Sequence, residues 1–378
     1  MKRKLLKRLL IIVVIISLVF NALLVVGYVS DYHHFGRLVQ VSYLIKTQAL
    51  KPVSLGGLID GATAGMVKEL HDPYSAFLPA TDYARLQEQL NGIFAGIGVI
   101  LDTAKEDRLG IIAIIKDSPA EGAGLHKGDL ITEVDGQAVA RIKAAQAADL
   151  LRGKIGSEVS LVIYRRGKRH EYRIKREQIN LPSVEGKELL IPQNVAYVKI
   201  NYFGETTGKE LNGLMRGFTN QKGIVLDLRD NPGGDLDTAV DAAKWFVPNG
   251  PVVHLVYRDG RRETYEVRQS MLKLPLVVLV NGASASAAEI LAGAIKDTGS
   301  GIIVGQKTFG KGVVQTIYDL GGKAGLKLTT AKYLTPLGND INQKGIEPEV
   351  TVETGGQKDN GNGDPVLSKA LVLLRERL

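Results

Sequence analysis

Asn281-Gly-Ala-Ser-Ala-Ser-Ala-Ala-Glu289 and Thr308-Phe-Gly-Lys-Gly-Val-Val-Gln315 decide how this chain is read. The first stretch follows the apolar run Pro275 to Val280, so a buried strand ends in a turn of small residues that opens a helix. The second sets a lysine between two glycines 25 residues after Ser286, with a glutamine four residues further on. A serine hydroxyl is a weak nucleophile until a base takes its proton, and an uncharged lysine amine is such a base. To be uncharged near neutral pH, Lys311 must leave the ordinary lysine range of about 10.4 for about 7–8, through burial beside Phe309, Val313 and Val314. Gln315 is placed to hold the amine by a hydrogen bond, without the negative charge that would oppose that drop. Ser286 is the expected nucleophile, Lys311 the base and Gln315 its orienting partner, while Ser284 reads as the N-cap of the following helix. A helix N-terminus also directs free amides at the site, which suits a developing oxyanion. The glycines of Asp230-Asn-Pro-Gly-Gly234, at the end of another strand, are expected to complete that oxyanion hole with the amide of Ala287.

Outward from these loops, residues 179–354 alternate strands and helices as in an α/β domain. Expected strands are Val195 to Ile200, Gly223 to Arg229, Pro275 to Val280, Ile302 to Val304, Val313 to Ile317 and Leu326 to Thr330. Expected helices are Thr206 to Phe218, one ending near Trp245, and Ser284 to Ile295. The polar run Gly355 to Asp364 reads as a linker, and Pro365 to Leu378 as a terminal amphipathic helix, so 355–378 forms its own segment.

Between about 85 and 178 the texture changes to short strands and turns. Gly92-Ile-Phe-Ala-Gly-Ile-Gly-Val-Ile100, Ser118-Pro-Ala-Glu-Gly-Ala-Gly-Leu-His-Lys-Gly-Asp-Leu-Ile131 and Glu133-Val-Asp-Gly-Gln-Ala-Val139 together resemble a PDZ domain of the bacterial, circularly permuted type. The resemblance implies a groove beside the helix Ala144 to Leu151, where an extended peptide adds as a strand. Gly96, Ile97, Gly98 and Val99 would cap the peptide's terminal carboxylate, and Arg152 would reach it.

Residues 30–84 read as a helical segment, with Leu55, Leu58, Ile59, Ala62, Met66 and Leu70 on one face until His71-Asp-Pro breaks the pattern. Leu9 to Val29 is an apolar run of 21 residues, enough to cross about 30 Å of hydrocarbon as a helix. Lys2, Arg3, Lys4, Lys7 and Arg8 precede it. They predict a cytoplasmic tail over 1–8, a single uncleaved membrane anchor over 9–29 and a body outside the cytoplasm. A cleaved signal peptide would have a shorter apolar region and a small-x-small end, which Val25-Val-Gly-Tyr-Val29 lacks. Those five cations account for most of the net charge of +8, and the remainder gives no case for nucleic-acid binding. With no cysteine, disulfides and thiolate metal sites are excluded, and the six histidines show no metal-ligand spacing.

The whole set of motifs resembles the C-terminal processing peptidases, or tail-specific proteases. It comprises His71-Asp-Pro-Tyr-Ser75, the PDZ motifs, Leu226-Asp-Leu-Arg-Asp-Asn-Pro-Gly-Gly234, the Ser284 to Glu289 turn, Gly305 to Gln315, Tyr333-Leu-Thr-Pro336 and Lys344-Gly-Ile-Glu-Pro348. The resemblance implies a multidomain α/β architecture: transmembrane helix, helical segment, mostly β PDZ domain and an α/β protease core of crotonase/Clp-like type. It implies an endopeptidase that cleaves proteins near apolar, flexible C-terminal tails captured by the PDZ domain, needs no metal or cofactor, and pairs as a homodimer through its terminal helices. It also puts catalysis on Ser286, Lys311 and Gln315, and oxyanion contacts on Ala287 and on Gly233 or Gly234. The chain departs from the family pattern at Ala283, Ala288 and Gln306. Two readings compete: a membrane-tethered PDZ binding protein with an inactive protease-like domain, and a serine–histidine–aspartate protease drawing on His71, His126, His170 or His254.

Overall fold

A computed structural model describes residues 15–18, 35–91, 93–102, 109–139, 144–189, 194–271, 273–353 and 364–377. The chain divides into two compact units, Met1–Pro79 and Ala80–Leu378. Among the described residues no helix is long and apolar enough to cross a membrane. The anchor expected over 9–29 lies, apart from 15–18, outside the described residues, as do the basic tail and most of the polar linker.

In the first unit, residues 35–48 and Leu55–Lys68 are helical. Ser54 caps the second helix by accepting the Gly57 amide at 3.0 Å. The apolar face read from the sequence is present but uncovered: the helix buries no residue, and Leu55, Ile59, Met66 and Leu70 each stand more than half exposed. Asp72 then makes the turn at Pro73, accepting the Tyr74 amide and the Ser75 hydroxyl.

The second unit holds two bodies of sheet. An antiparallel sheet runs in the order Val99–Asp102, Leu109–Ile114, Leu130–Val134, Glu158–Arg165, Lys168–Lys175. Leu109 and Ile111, and Val159, Leu161 and Ile163, alternate into one core, joined by Ile131 and Val134, whose step of three spans the register shift between Ile131 and Glu133. This is the segment with the PDZ motifs. Buried Asp129 fixes the end of its hairpin by taking Arg165 Nε and Nη2, each at 2.6 Å.

The protease-like body is built on a six-stranded sheet ordered Val184–Leu189, Val195–Ile200, Gly223–Asp227, Leu276–Val280, Ile302–Gly305, Val350–Thr351. The first pair is antiparallel and the rest are parallel. Gly223–Asp227 and Leu276–Val280 are buried at every position, as expected where helices cover both faces. Ile224, Leu226, Val278 and Val280 pack with the helices Thr207–Gly217, Leu236–Ala243 and Ala287–Thr298. Val225, Val277 and Leu279 face the terminal helix Pro365–Arg375 through its Val366, Ala370 and Leu374. Asp364 caps that helix and pairs with Arg229 at 2.7 Å, and Arg229 also grips buried Asp227 at 2.5 Å. Strands Val313–Asp319, Gly325–Leu334, Gly250–Tyr257 and Arg262–Val267 pair antiparallel in that order.

Two expectations are corrected here. The helix after Leu276–Val280 opens at Ala287, three residues after Ser284, because Ser286 sits at φ 55°, ψ −118°, which no helical residue adopts. The hairpin Gly250–Tyr257/Arg262–Val267 and the edge strand Val184–Leu189 were not expected from the sequence.

Candidate active site

Parallel strands that share a layer send their carboxyl ends to one edge, and loops leaving that edge meet. Three such loops meet here: Leu228–Asp235 after Gly223–Asp227, Asn281–Ser286 after Leu276–Val280, and Gln306–Gly312 after Ile302–Gly305. The first two are stitched together by short polar side chains. Asn281 Oδ1 accepts the Asp230 and Ala283 amides, and Asn281 Nδ2 donates to Asp230. Fully buried Asn231 donates Nδ2 to the Ile200 carbonyl and takes the Ala285 amide on its own carbonyl. Ser284 belongs to this stitching and is not a helix cap: its hydroxyl donates to the Leu228 carbonyl at 2.8 Å and accepts the Asn281 amide at 3.0 Å, with the side chain fully buried. The capping residue is Ser286, whose amide donates to Glu289 Oε2 at 2.9 Å.

Glu289 is the residue whose importance sequence reasoning missed. It is fully buried, and its carboxylate accepts four bonds. Oε1 takes the Thr308 hydroxyl at 2.6 Å and the Gly310 amide at 2.7 Å; Oε2 takes the Ser286 and Lys311 amides at 2.9 Å each. A buried carboxylate is tolerated when hydrogen bonds replace its water, and here they come from both the serine loop and the lysine loop. The only trace in sequence is a glutamate in the first turn of a helix, which reads as an ordinary capping residue. Tyr333 adds a second tie, donating its hydroxyl to the Ser286 carbonyl at 3.2 Å.

Ser286, Lys311, Gln315, Ala287, Gly233 and Gly234 all line one cavity of about 470 Å³, with Leu236, Ile290, Val314 and Tyr333 among its apolar walls. No histidine lines it among the described residues. His254 is buried elsewhere, between Thr264 at 2.8 Å and the Pro336 carbonyl at 3.2 Å. Phe309, expected to help dry the lysine pocket, is instead 56% exposed. Gln315 Nε2 donates to the Val313 carbonyl at 3.4 Å. Gly312 is required because the Asn342 backbone packs on it: an added Cβ would lie 2.5 Å from that amide.

The glycine loop distinguishes its two amides. Gly233 is pressed against the serine turn, where a Cβ would meet Ser286 Cβ at 2.7 Å, and its amide is already donated to Asn231 Oδ1 at 2.8 Å. The amides of Gly234 and Ala287 have no acceptor among the described residues.

In the other sheet body, Gly96, Ile97, Gly98, Val99 and Arg152 line a cavity of about 350 Å³, together with Leu151 at the end of the helix Ala144–Leu151. Ile97 turns its side chain into the core, and Arg152 pairs with Asp149 at 3.3 Å.

Residues 194–352 match the family described as peptidase family S41, residues 110–165 match the PDZ domain, and residues 27–81 match the activating protease CtpB N-terminal domain. The chain is 36% identical over 331 residues to a probable CtpA-like serine protease of Staphylococcus aureus (strain bovine RF122 / ET3-1), an alignment covering 86% of this chain and 66% of that relative. A probable CtpA-like serine protease of Staphylococcus epidermidis is 36% identical over 327 residues, covering 84% and 66%. The chain thus spans 66% of the length of these curated relatives. Among solved structures, a photosystem II D1 C-terminal processing protease is 29% identical with a TM-score of 0.53, covering 89% of this chain and 90% of its own. A putative S41 protease from Bacteroides fragilis NCTC 9343, 19% identical with a TM-score of 0.58 and covering 83% and 90%, shares the fold.

Proposed function

This chain belongs to peptidase family S41, and on that footing we propose that it is a serine endopeptidase cleaving proteins near apolar, flexible C-terminal tails through a Ser286–Lys311 dyad. The observation that carries the reading is the shared carboxylate. Glu289 Oε2 accepts the amides of both Ser286 and Lys311, and both residues line one cavity in which no histidine appears among the described residues.

In this mechanism neutral Lys311 Nζ takes the proton of Ser286 Oγ as the oxygen attacks the scissile carbonyl carbon. The carbonyl oxygen becomes an oxyanion held by the amides of Ala287 and Gly234, the two that have no acceptor among the described residues. The lysine then gives its proton to the leaving amine as the C–N bond breaks, leaving an acyl ester on Ser286. Water, deprotonated by the Lys311 amine, attacks that ester, and the lysine ammonium returns the proton to Ser286 Oγ as the acid product leaves. Gln315 lies on the wall of the cavity as an uncharged neighbour of the base. Of the two glycines in the turn, Gly234 fits the oxyanion role better, because Gly233 spends its amide on Asn231.

The PDZ cavity around Gly96 to Val99 would hold the substrate's terminal carboxylate, with Arg152 at its rim. The core is of crotonase/Clp-like type on this reading. The uncovered apolar face of the helix Leu55–Lys68 suits a homodimer contact, and residues 9–29 a single membrane anchor with the body on the extracytoplasmic side of a bacterial-type cell membrane. Removal of the body by protease added to cells stripped of any outer barrier tests the orientation; protection until lysis would reverse it.

The central test is incubation with an unfolded protein bearing an apolar tail. Wild type cleaves it and Ser286→Ala does not. Capture of the tail without cleavage by wild type would favour a PDZ binding protein with an inactive core.

A further inference from the structure

The proposed chemistry uses Ser286, Lys311, Gln315 and the amides of Gly234 and Ala287 in the 470 Å³ cavity and leaves unexplained the wall that continues past Gln315 along its strand. That wall carries a charge. Gln315 and Ile317 are two residues apart on the strand Val313–Asp319, so they project from the same face, and both line the cavity. Lys327 is the cross-strand partner of Ile317 and lines the cavity with it. Paired residues share a face, so Lys327 stands about 7 Å along the sheet from Gln315.

Three charged residues line this cavity: Lys311, Asp235 and Lys327. Lys311 is the base. Asp235 caps the helix Leu236–Ala243, its Oδ1 accepting the Thr238 amide at 2.8 Å and hydroxyl at 2.7 Å. Lys327 is half-buried and makes no ion pair among the described residues. An ammonium beside Ile317 with no ion pair among the described residues gains a charged partner when something negative enters. Closing substrate over it expels water and strengthens the attraction. An extended peptide rises about 3.3 Å per residue, so a few residues of a substrate leaving the bond at Ser286 span this face of the cavity.

Resting on the peptidase reading above, we propose that Lys327 is a specificity-determining residue that selects a carboxylate within a few residues of the scissile bond. Two sources share that chemistry: an Asp or Glu side chain within the tail, and the free α-carboxylate of a substrate ending there.

Steady-state kcat/KM of the full chain decides it, using peptides with one cleavable apolar core. In one arm a single Asp is moved stepwise along both sides of the bond, each against its Asn twin. In the other arm the peptide is shortened towards the bond, as free acid and as amide. At one position wild type prefers the carboxylate by about five- to tenfold. A response in the first arm identifies a side chain, and one confined to the second identifies a chain end. Lys327→Gln removes the ratio, and Lys327→Glu inverts it in favour of a Lys twin, a reversal that loss of folding cannot imitate. An unchanged ratio in Lys327→Glu, or equal cleavage of every twin by wild type, overturns the proposal. Failure of wild type to cut any peptide, neutral ones included, instead overturns the peptidase reading and this inference with it.

Discussion

Ser286 and Lys311, 25 residues apart in the chain, donate their main-chain amides to the same oxygen, Oε2 of Glu289, each at 2.9 Å. A common acceptor fixes two backbone points more tightly than separate partners would, because neither loop moves without breaking a buried charge-assisted bond. Glu289→Gln keeps the shape and replaces one acceptor oxygen with a donor that faces amides or a hydroxyl. It should cost about 3 kcal/mol of stability and depress kcat more than it raises KM. Urea unfolding and steady-state kinetics check both. A variant of wild-type kcat would remove Glu289 from the positioning of the site.

The two serines of the turn should separate cleanly by assay. Ser286→Ala should lose nearly all cleavage and keep its stability, since the serine contributes its amide, and not its hydroxyl, to Glu289. Ser284→Ala strands the Asn281 amide and leaves the Leu228 carbonyl with the Asn231 amide at 3.3 Å, so it should cost about 1–3 kcal/mol while keeping measurable activity. Parallel unfolding curves and cleavage assays decide, and a swapped pattern would exchange the roles.

As the proposed base, Lys311 would act only when it has lost its proton, so cleavage should rise with pH. Lys311→Arg should be inactive across the same range, because a guanidinium stays protonated. Substantial kcat in Lys311→Arg would return the search for a base to the histidines.

The terminal helix should be sensitive to acid. Burial raises the Asp364 carboxyl, but the Arg229 guanidinium and the Val366 and Leu367 amides outweigh it and hold the group below its ordinary carboxylate range. A depressed folded value means that its stabilisation is complete above that range and fades as pH falls through and below it. The protection of amides 365–375, measured against their intrinsic exchange rate at each pH, should therefore fall in acid. Asp364→Asn, which keeps a capping oxygen but loses the charge, should show the lower protection already at neutral pH. Equal exchange in both proteins at neutral pH would mean that the helix is held by Val366, Ala370 and Leu374 alone.

Much of this was written in the sequence in local form. Continuous apolar runs such as Leu276–Val280 reveal strands buried on both faces, and the small residues after them reveal where backbone comes close to backbone. The loops bearing Ser286 and Lys311 were legible because glycine, serine and lysine at fixed spacing carry their chemistry with them. What stayed hidden is long-range. Glu289 looks like any acidic first-turn residue until Thr308, Gly310 and Lys311 are brought to it. Tyr333 reads as a strand residue until its hydroxyl meets the Ser286 carbonyl. The start of the helix Ala287–Thr298 stays hidden because a non-glycine residue at φ 55° is rare enough that serine's capping preference points to Ser284 instead.

The contact between Gly233 and the serine turn bears on how this site can be labelled. With a Cβ on Gly233 landing 2.7 Å from Ser286 Cβ, the space behind that serine is closed even to a methyl group. An electrophilic probe that acylates or phosphonylates Ser286 must therefore carry all of its bulk forward, into the cavity lined by Leu86, Ile317 and Lys327. Reagents that vary only in their reactive head should label this serine alike, and those that vary in a forward anionic or apolar arm should differ. The shape of the arm, and not the strength of the warhead, sets the selectivity of an inhibitor for this chain.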